Sequence, residues 1–513
     1  MIKSINFLGA FELNEFAFKE FDCGNSSFEL AYKAMSNFPF CDKVIVLADE
    51  TTSKTIKAKY NQNFEFALIN DFSAKSVFNT MSEYSGEFDA VFFSFADAPF
   101  LDNDLTEELF EQHRHFKAEY SFVDGYPEGF APEILTKGLL SILSGLSEID
   151  DVRKVRNFIF ETVKKDINSF DIETLIAPDD LRHLRLQFYA NTKRQFNLCN
   201  NMLGIKADNY AEFINAHRDC LFTLPGYYAI EISRQKLLQS CYLPANDEKA
   251  NSINVMQKES VFKIIDKISS YSDDAVISLS IFGEPVLHSN LEEIIEYVLS
   301  FERLSLLIET TGLDWTENRI SQIEKIVKNA KPRKNGHAPI YWIVKLDAIS
   351  STQYGAIHGL SNDRADVKLK QASEFTETLY KLFGAVVYPQ FIRMNENEEE
   401  LESFYRNWKE RVENVLIQKY DHFCTKMQDR KVADLSPLLR HPCWHLKRDM
   451  YIFSDGSIPL CREDISLTTV LGNALTDDFD TIRNRAFPIY RQQLDTNYKG
   501  LCEYCDEYYT YNF

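Results

Sequence analysis

The sequence lacks the features that direct a chain to nucleic acid, to a membrane or to an oxidising compartment. It has no basic run, and 56 Lys and Arg against 77 Asp and Glu give a formal net charge of −21, which argues against nucleic acid as a partner. No apolar run reaches transmembrane length, and the N-terminus lacks the apolar core of a signal peptide. Ten cysteines in 513 residues are too few for a disulfide framework. We therefore expect a cytoplasmic protein with no membrane span, whose small-molecule, protein or peptide ligand the sequence does not identify.

The first part of the chain, residues 1–145, alternates apolar strands with amphipathic helices. The strand candidates are Val44–Asp49, Phe64–Asn70 and Asp89–Leu101, and the helix candidates include Ser27–Asn37 and Ser73–Ser85. This alternation predicts a mostly parallel α/β sheet. Ligands bind such sheets beyond the carboxyl ends of the strands, where Asp49 and Asp97 would lie.

Two segments of this part carry a resemblance. Asp97-Ala-Pro99 follows the strongest strand, and a loop around Asp124 to Gly129 comes later. Both are similar to the metal- and nucleotide-binding edge of GT-A sugar nucleotidyltransferases, with the CMP-sugar synthetase branch nearest. The resemblance implies that Asp97 and Asp124 bind nucleotide and Mg²⁺, although Asp97 could equally be a helix cap or turn carboxylate. Active members open with a Gly-rich basic loop, whereas residues 8–19 here have one glycine and two glutamates.

Residues 146–225 have apolar spacings of three and four and predict a helical linker without chemistry. Residues 226–430 return to alternating strands and helices, which predicts a partial or full β/α barrel with its site at the strand C-termini. The strand candidates are Tyr227–Arg234, Ala275–Phe282, Leu304–Thr310, Ile340–Asp347 and Ala385–Ile392, and the helix candidates include Leu291–Phe301 and Glu317–Asn329.

The ends of these strands resemble a radical-SAM barrel. The matching segments, in chain order, are Gly283-Glu284-Pro285, Glu309–Gly312, Lys345–Asp347, Tyr354–Gly359 and Asn397. The resemblance implies a SAM-like pocket formed by Gly283, Glu284, Pro285, Thr311 and Asp347. Taken singly, Gly-Glu-Pro is also a plain turn and Asp347 could be a cap.

The barrel departs from that family after its first strand. Active members carry Cys-x-x-x-Cys-x-x-Cys there, and the equivalent positions hold Lys236, Ser240 and Leu243, with Cys241 one place off. A single cysteine cannot hold a cluster that needs three thiolates. The sequence therefore predicts a barrel that does not cleave SAM reductively, although SAM binding stays open.

The tail, residues 431–513, contains four cysteines at metal-site spacing. Cys461 follows Cys443 after 17 residues, and Cys502-Glu-Tyr-Cys505 closes the set. Such a set suits a [4Fe–4S] cluster or zinc, the alternative being four ordinary buried thiols. Asp455-Gly456 predicts a hairpin that delivers Cys461. Five other cysteines show no ligand spacing and are predicted to be buried free thiols: Cys23, Cys41, Cys199, Cys220 and Cys424. His441 and His445 flank Cys443, and either could replace a thiolate, although with four cysteines present we expect them at the surface or in contact with the ligands.

The tail resembles the SPASM domain through these four cysteines, Asp455-Gly456, Asp464, Gly472-Asn473 and Asp506. The order of all parts matches the family called spiro-SPASM. The resemblance implies one [4Fe–4S] cluster. Two functions follow as hypotheses: an iron–sulfur protein with a degenerate barrel and a structural or electron-relaying cluster, or a nucleotide-sugar enzyme of envelope or surface glycan metabolism acting through the N-terminal part.

Overall fold

The computed structural model describes residues 2–244, 254–433 and 440–506. The chain divides into two compact units, Met1–Leu221 and Phe222–Phe513. Both are α/β units built on mainly parallel sheets, as the alternation of apolar strands and helices predicts.

The first unit consists of one sheet covered by helices on both faces. Its strands are β1 (Ser4–Ala10), β2 (Cys41–Ala48), β3 (Glu65–Leu68), β4 (Ala90–Phe95), β5 (Tyr120–Asp124), β6 (Glu133–Leu135) and β7 (Ile172–Ile176). Its helices are α1 (Glu15–Phe18), α2 (Ser27–Ser36), α3 (Glu50–Lys59), α4 (Ala74–Tyr84), α5 (Asn103–Phe116), α6 (Lys137–Leu146), α7 (Phe158–Val163), α8 (Lys193–Asn201) and α9 (Tyr210–Ala216). Short 3₁₀ turns span Lys164–Ser169, Arg182–Leu184 and Arg218–Leu221.

The order of the first sheet is β3-β2-β1-β4-β6-β5-β7, and β6 alone runs antiparallel to its neighbours. Every residue of β1 and β4 is buried, which fits the continuous apolar runs expected of strands covered on both faces. Separate apolar clusters fill the two faces. The carboxyl ends of β1 and β4 therefore meet at one edge; Phe11 directly follows β1, and Asp97 is the second residue after β4.

The segment 146–225 differs from the predicted helical linker. It contributes β7, which pairs in parallel with β5, and most of its residues belong to the first unit. The strand escapes a periodicity argument because all five of its side chains are only partly buried or exposed. An edge strand of this kind takes its stability from the backbone ladder rather than from an apolar face.

The second unit contains a larger set of elements. Its strands are β8 (Tyr227–Ile230), β9 (Ala275–Ser278), β10 (Leu304–Thr310), β11 (Ile340–Lys345), β12 (Val387–Arg393), β13 (Leu416–Lys419), β14 (Asp449–Ile452), β15 (Ser457–Pro459) and β16 (Val470–Asn473). Its helices are α10 (Lys258–Ser272), α11 (Leu291–Ser300), α12 (Glu317–Asn329), α13 (Ser351–His358), α14 (Asn362–Phe383), α15 (Leu401–Arg411), α16 (Trp444–Arg448) and α17 (Phe479–Leu494). Short 3₁₀ turns span Pro285–Leu287, Glu398–Glu400 and Gly500–Tyr504.

Strands β8 to β13 follow one another in chain order and are all parallel, which gives the partial β/α barrel that the sequence predicts. A seventh strand, β14, pairs in parallel with β8. The tail is thus continuous with the barrel sheet, and one large apolar cluster includes residues of both.

The predicted hairpin turn at Asp455-Gly456 is followed by β15, which ends two residues before Cys461. The turn is present, because Gly456 N donates to Phe453 O at 2.8 Å and Gly456 has a φ of 86°. The strand before the turn, however, pairs with β8, and the strand after it pairs with β16. In the part of the chain that the structure describes, no helix combines the length and apolarity needed to cross a membrane.

Candidate metal centre and associated sites

The four tail cysteines meet at one cavity. This cavity is lined by Cys443, Cys461, Cys502 and Cys505, together with Leu446, Leu460, Leu501, Gln493, Arg440 and Tyr498. All ten cysteines of the chain are free thiols. Residues separated by up to 62 positions are therefore brought together, and soft sulfur donors dominate the ligand atoms of the cavity.

Local structure positions each thiol. Cys443 caps the start of α16, where its Sγ accepts a hydrogen bond from Leu446 N at 3.4 Å. Cys461 follows β15 by two residues, and the turn Gly500–Tyr504 presents Cys502 before Cys505. Since helix starts and 3₁₀ turns leave backbone N–H groups without intrahelical partners, these positions offer donors to thiolate sulfur.

Two polar side chains tie the thiols together. Gln493, buried on α17, accepts a hydrogen bond from Cys443 N at 2.9 Å and donates to Cys502 Sγ at 3.4 Å. Arg440 donates to Cys502 O at 2.6 Å. His445 instead contacts the Asp449 carboxylate, with its Nδ1 2.6 Å from Oδ2. These contacts orient the cysteines and set the polarity next to their sulfur atoms.

Burial raises the pKa of the Cys443 and Cys502 thiols, and neighbouring Cys505 raises both further. Burial also raises the pKa of Cys461, followed by the charge of Glu463. Without a cation the cavity favours neutral thiols. A metal that binds here as a thiolate complex must therefore release protons.

A fifth thiol at the cavity was not predicted. Cys424, which the sequence indicated as an isolated buried thiol, is buried and lines the same cavity. The neighbouring Cys505 is the main cause of its raised pKa, followed by burial. Spacing gave no signal because the contact depends on a loop that follows β13.

A zinc ion and an iron–sulfur cluster require different distances between their sulfur ligands. Among the described residues, Asp421, His422 and Asp506 have ligand atoms within 4.8 Å of one another, whereas no trio of cysteines does. A tetrahedral zinc site needs sulfur atoms about 3.8 Å apart, given Zn–S bonds of about 2.3 Å. A cubane cluster holds its thiolates farther apart because four irons lie between them.

The group of Asp421, His422 and Asp506 is already charge-compensated. Arg462 contacts Asp421 at 2.6 Å, and Lys431 and Lys419 contact Asp506 at 3.0 and 3.3 Å. Three cations beside two carboxylates leave little attraction for a metal ion. These contacts instead hold the polypeptide around the cysteines.

The predicted SAM-like residues lie at the carboxyl edge of the barrel sheet. Buried Glu284 accepts hydrogen bonds from Thr310 Oγ1 at 2.8 Å and Thr311 N at 2.7 Å. Gly283, before Pro285, packs so closely on Ser233 O that a Cβ would lie 2.0 Å from it. The structure therefore brings the Gly-Glu-Pro turn and Thr311 together.

Asp347 lies in a second part of this edge. It is buried with a φ of 61°, and its Oδ1 accepts from Ile392 N at 2.7 Å. Burial raises its pKa to about 6. His358 Nε2 lies 3.9 Å from Asp347 Oδ2, and burial lowers the pKa of this histidine to about 3, so the ring is neutral.

In an active radical-SAM barrel, three cysteines would follow the first strand. Here the residues at those positions make contacts within the chain. Lys236 Nζ donates to Pro244 O at 2.5 Å, and Ser240 Oγ lies 2.8 Å from His358 Nδ1. Leu243 packs against the apolar core. Cys241, the nearest thiol in sequence, has its sulfur 4.0 Å from Met394 Sδ.

Several buried polar atoms at this edge lack a hydrogen-bond partner in the part of the chain that the structure describes. They are Glu231 Oε1 and Oε2, Tyr242 Oη, Thr311 Oγ1, Asp347 Oδ2, Tyr354 Oη, His358 Nε2 and Gln390 Oε1. An orphaned buried polar atom costs about 1–3 kcal/mol. Their concentration at the end of a barrel favours a site for water or a polar ligand.

In the first unit, Asp97 is engaged by an arginine. Arg156 Nη1 and Nη2 donate to its two carboxylate oxygens at 2.9 and 2.5 Å, and Asp97 is 2% exposed. The guanidinium also lies over Phe95 and Tyr189, at 4.7 and 4.3 Å from the ring centroids. Asp97 lies in a turn rather than at a helix N-cap, and the arginine covers both of its carboxylate oxygens.

Asp124 pairs with a different arginine from the one that binds Asp97. It ends β5 and contacts Arg182 Nη1 at 3.3 Å, with both side chains largely exposed. Asp49 caps α3 by accepting from Thr52 N. The three carboxylates at the ends of the strands therefore each have a partner from the chain itself, and Mg²⁺ has no prepared pair of carboxylates in this set.

A two-unit α/β protein with a cysteine-lined cavity in its tail is the class that the fold and the site define. The chain belongs to the family of an uncharacterized protein of Treponema pallidum (strain Nichols), to which it is 48% identical over 358 residues, 70% of this chain and 99% of that protein. A second uncharacterized Treponema pallidum protein is 32% identical over 136 residues, 24% of this chain and 62% of that protein. No family model matches the sequence.

Solved structures similar to this chain fall into two groups. BtrN in complex with AdoMet and 2-DOIA is 16% identical with a TM-score of 0.35, covering 55% of this chain and 93% of that chain. Streptococcus suis SuiB bound to precursor peptide SuiA is 13% identical with a TM-score of 0.40, covering 55% and 71%. A cytidylyltransferase from Leptospira borgpetersenii is 14% identical with a TM-score of 0.36, covering 43% and 97%.

Proposed function

We propose that this protein is an iron–sulfur protein that holds one [4Fe–4S] cluster in its tail, at Cys443, Cys461, Cys502 and Cys505. The observation that carries the proposal is the cavity itself. Soft thiols line it, and Gln493 donates to one of the sulfurs. The cluster would supply one-electron transfer or hold the tail in its folded form.

The same proposal includes a barrel that does not cleave SAM. Lys236, Ser240 and Leu243 occupy the positions of the missing thiols, and each has a partner within the chain. The unpartnered polar atoms around Asp347 and Tyr354 support a remaining role in binding a polar small molecule. A cytoplasmic location suits ten free thiols, because a reducing compartment preserves them.

Nucleotidyl transfer by the first unit is the weaker candidate. The Arg156 guanidinium pairs with Asp97, which the sequence resemblance assigned to metal. Glu12, in the segment that would cradle a triphosphate, contacts Arg153. A carboxylate there repels phosphate, so the first unit is proposed as a structural or ligand-handling part.

The test is anaerobic purification of the full chain, with iron, zinc and acid-labile sulfide measured beside Cys443→Ala. Cys23→Ala is the matched control, since Cys23 is exposed and outside the cavity. We expect broad absorption near 400 nm and about four irons and four sulfides in wild type and control. We expect both to fall in Cys443→Ala. One zinc without sulfide in wild type would refute the proposal.

A further inference from the structure

The cavity in the tail contains one thiol more than a cubane cluster uses. Cys424 lines it together with the four cysteines of the tail motif. A [4Fe–4S] cluster has four irons and takes four thiolates in a fully ligated site. Cys424 is the surplus thiol, and its loop contacts the residue that follows Cys505, because His422 Nε2 lies 3.6 Å from Asp506 Oδ2.

The loop that carries Cys424 is fastened to residues adjacent to two of the cysteines. Asp421 accepts from Arg462, which follows Cys461, at 2.6 Å. His422 Nε2 lies 3.6 Å from Asp506, which follows Cys505. Because the two residues Asp421 and His422, shortly before Cys424, are each attached beside one of these cysteines, the thiol of Cys424 is held at the cavity.

The backbone of this loop adopts an uncommon conformation. Phe423, Cys424 and Thr425 have φ values of 50°, 52° and 70°. Left-handed backbone costs roughly 1–2 kcal/mol for each non-glycine residue, and it is most unusual for a β-branched threonine. Hydrogen bonds from Phe423 N to Asp421 and from Thr425 N to His422 hold it, at 2.7 and 3.2 Å. Strain of this kind is typical of sites that bind.

We propose that Cys424 is a reserve ligand of the tail cluster, which can replace Cys505 on its iron. In the exchange, the Cys424 thiol loses its proton and forms an Fe–S bond. The bond from iron to Cys505 breaks, and Cys505 takes up a proton. No electron is transferred. This inference rests on the proposed function, and it predicts that the site tolerates the loss of Cys505 but not the loss of Cys502.

The test compares full-length variants after anaerobic reconstitution: Cys424→Ala, Cys505→Ala, the double variant, and Cys502→Ala. We expect Cys424→Ala to keep the wild-type iron content and Cys505→Ala to keep at least about half of it, with an altered EPR signal after reduction, because one ligand has changed. We expect the double variant and Cys502→Ala to lose most of the iron. Cys505→Ala losing as much iron as Cys502→Ala would overturn the inference.

A second measurement keeps the inference testable if a variant folds poorly. A Cys424→Ser, Cys505→Ala variant places an oxygen where the reserve thiol stands, so the EPR signal of its reduced cluster should differ from that of Cys505→Ala. Identical signals in the two variants would count against ligand exchange. Wild type without iron and sulfide would refute the proposed function itself, whatever the variants show.

Discussion

The buried ion pair between Asp97 and Arg156 gives a prediction whose size follows from the structure. Arg156→Met removes the donors at 2.9 and 2.5 Å and leaves a carboxylate that is 2% exposed. Breaking a buried pair by removing one partner costs about 3–5 kcal/mol. Because the Arg156 side chain is 28% exposed, we expect the lower end of that range, about 3 kcal/mol.

The matched control is Arg182→Met, which breaks the pair with Asp124. Those side chains are 61% and 45% exposed, and an exposed pair contributes about 1 kcal/mol or less. Asp97→Asn with Arg156→Met should recover part of the loss, because the double variant no longer buries an unpaired charge.

The assay must report on the first unit alone. All four tryptophans lie in the second unit, so we choose hydrogen exchange by mass spectrometry on peptides that cover β1 and β4. A loss of about 3 kcal/mol accelerates exchange through global opening by roughly a hundredfold. The ion-pair account would be refuted if hydrogen exchange in Arg156→Met were no faster than in Arg182→Met. It would also be refuted if Mg²⁺ with CTP strongly stabilised the wild type and Asp97→Asn abolished that stabilisation.

Three further predictions concern the second unit. Gln493→Leu removes the hydrogen bond to Cys502 Sγ. The reduction potential of the cluster should fall by about 40 mV for each kcal/mol that this bond contributes, with iron content unchanged. A potential at or above that of wild type in a redox titration would contradict this. Burial raises the pKa of Glu231 from 4.5 to about 7, so its proton stabilises the folded chain at low pH, and up to about 3 kcal/mol of that stability is lost as the pH rises from 4.5 through 7. The free energy of unfolding of Glu231→Gln, followed by tryptophan fluorescence, should therefore rise relative to that of wild type from pH 5 to pH 8. A difference between the two proteins that stays constant with pH would argue against this assignment. Wild type with SAM and dithionite should form no 5′-deoxyadenosine by chromatography, because the barrel lacks the cluster thiolates; formation would return the barrel to radical chemistry.

The sequence was a good guide where one residue pattern decides one element. Strand β10, Leu304–Thr310, and helix α12, Glu317–Asn329, have the bounds that apolar spacing predicts. The sequence was a poor guide where an element forms only because it pairs with a strand that is distant in sequence. The half-exposed β7 becomes a strand only because β5 lies beside it, and β14 is ordered by β8, more than 200 residues earlier.

The same limit applies to the candidate sites. The spacing of Cys443, Cys461 and the Cys502–Cys505 pair indicated a shared site, and the structure brings them to one cavity. Neither Cys424 nor Arg156 carried a signal, because each meets its partner through a loop whose path is set by tertiary contacts. A carboxylate after a strand predicts a polar edge but does not say whether its cation is a metal or an arginine.

The most direct test of the account is the number of irons per chain in wild type, reconstituted anaerobically with ⁵⁷Fe and examined by Mössbauer spectroscopy. We expect about four irons and one [4Fe–4S] signal, all lost in a Cys443→Ala, Cys502→Ala double variant. About eight irons, with half retained in that variant, would place a second cluster in the barrel and contradict the account. Stoichiometric zinc with no cluster signal would contradict it at the tail.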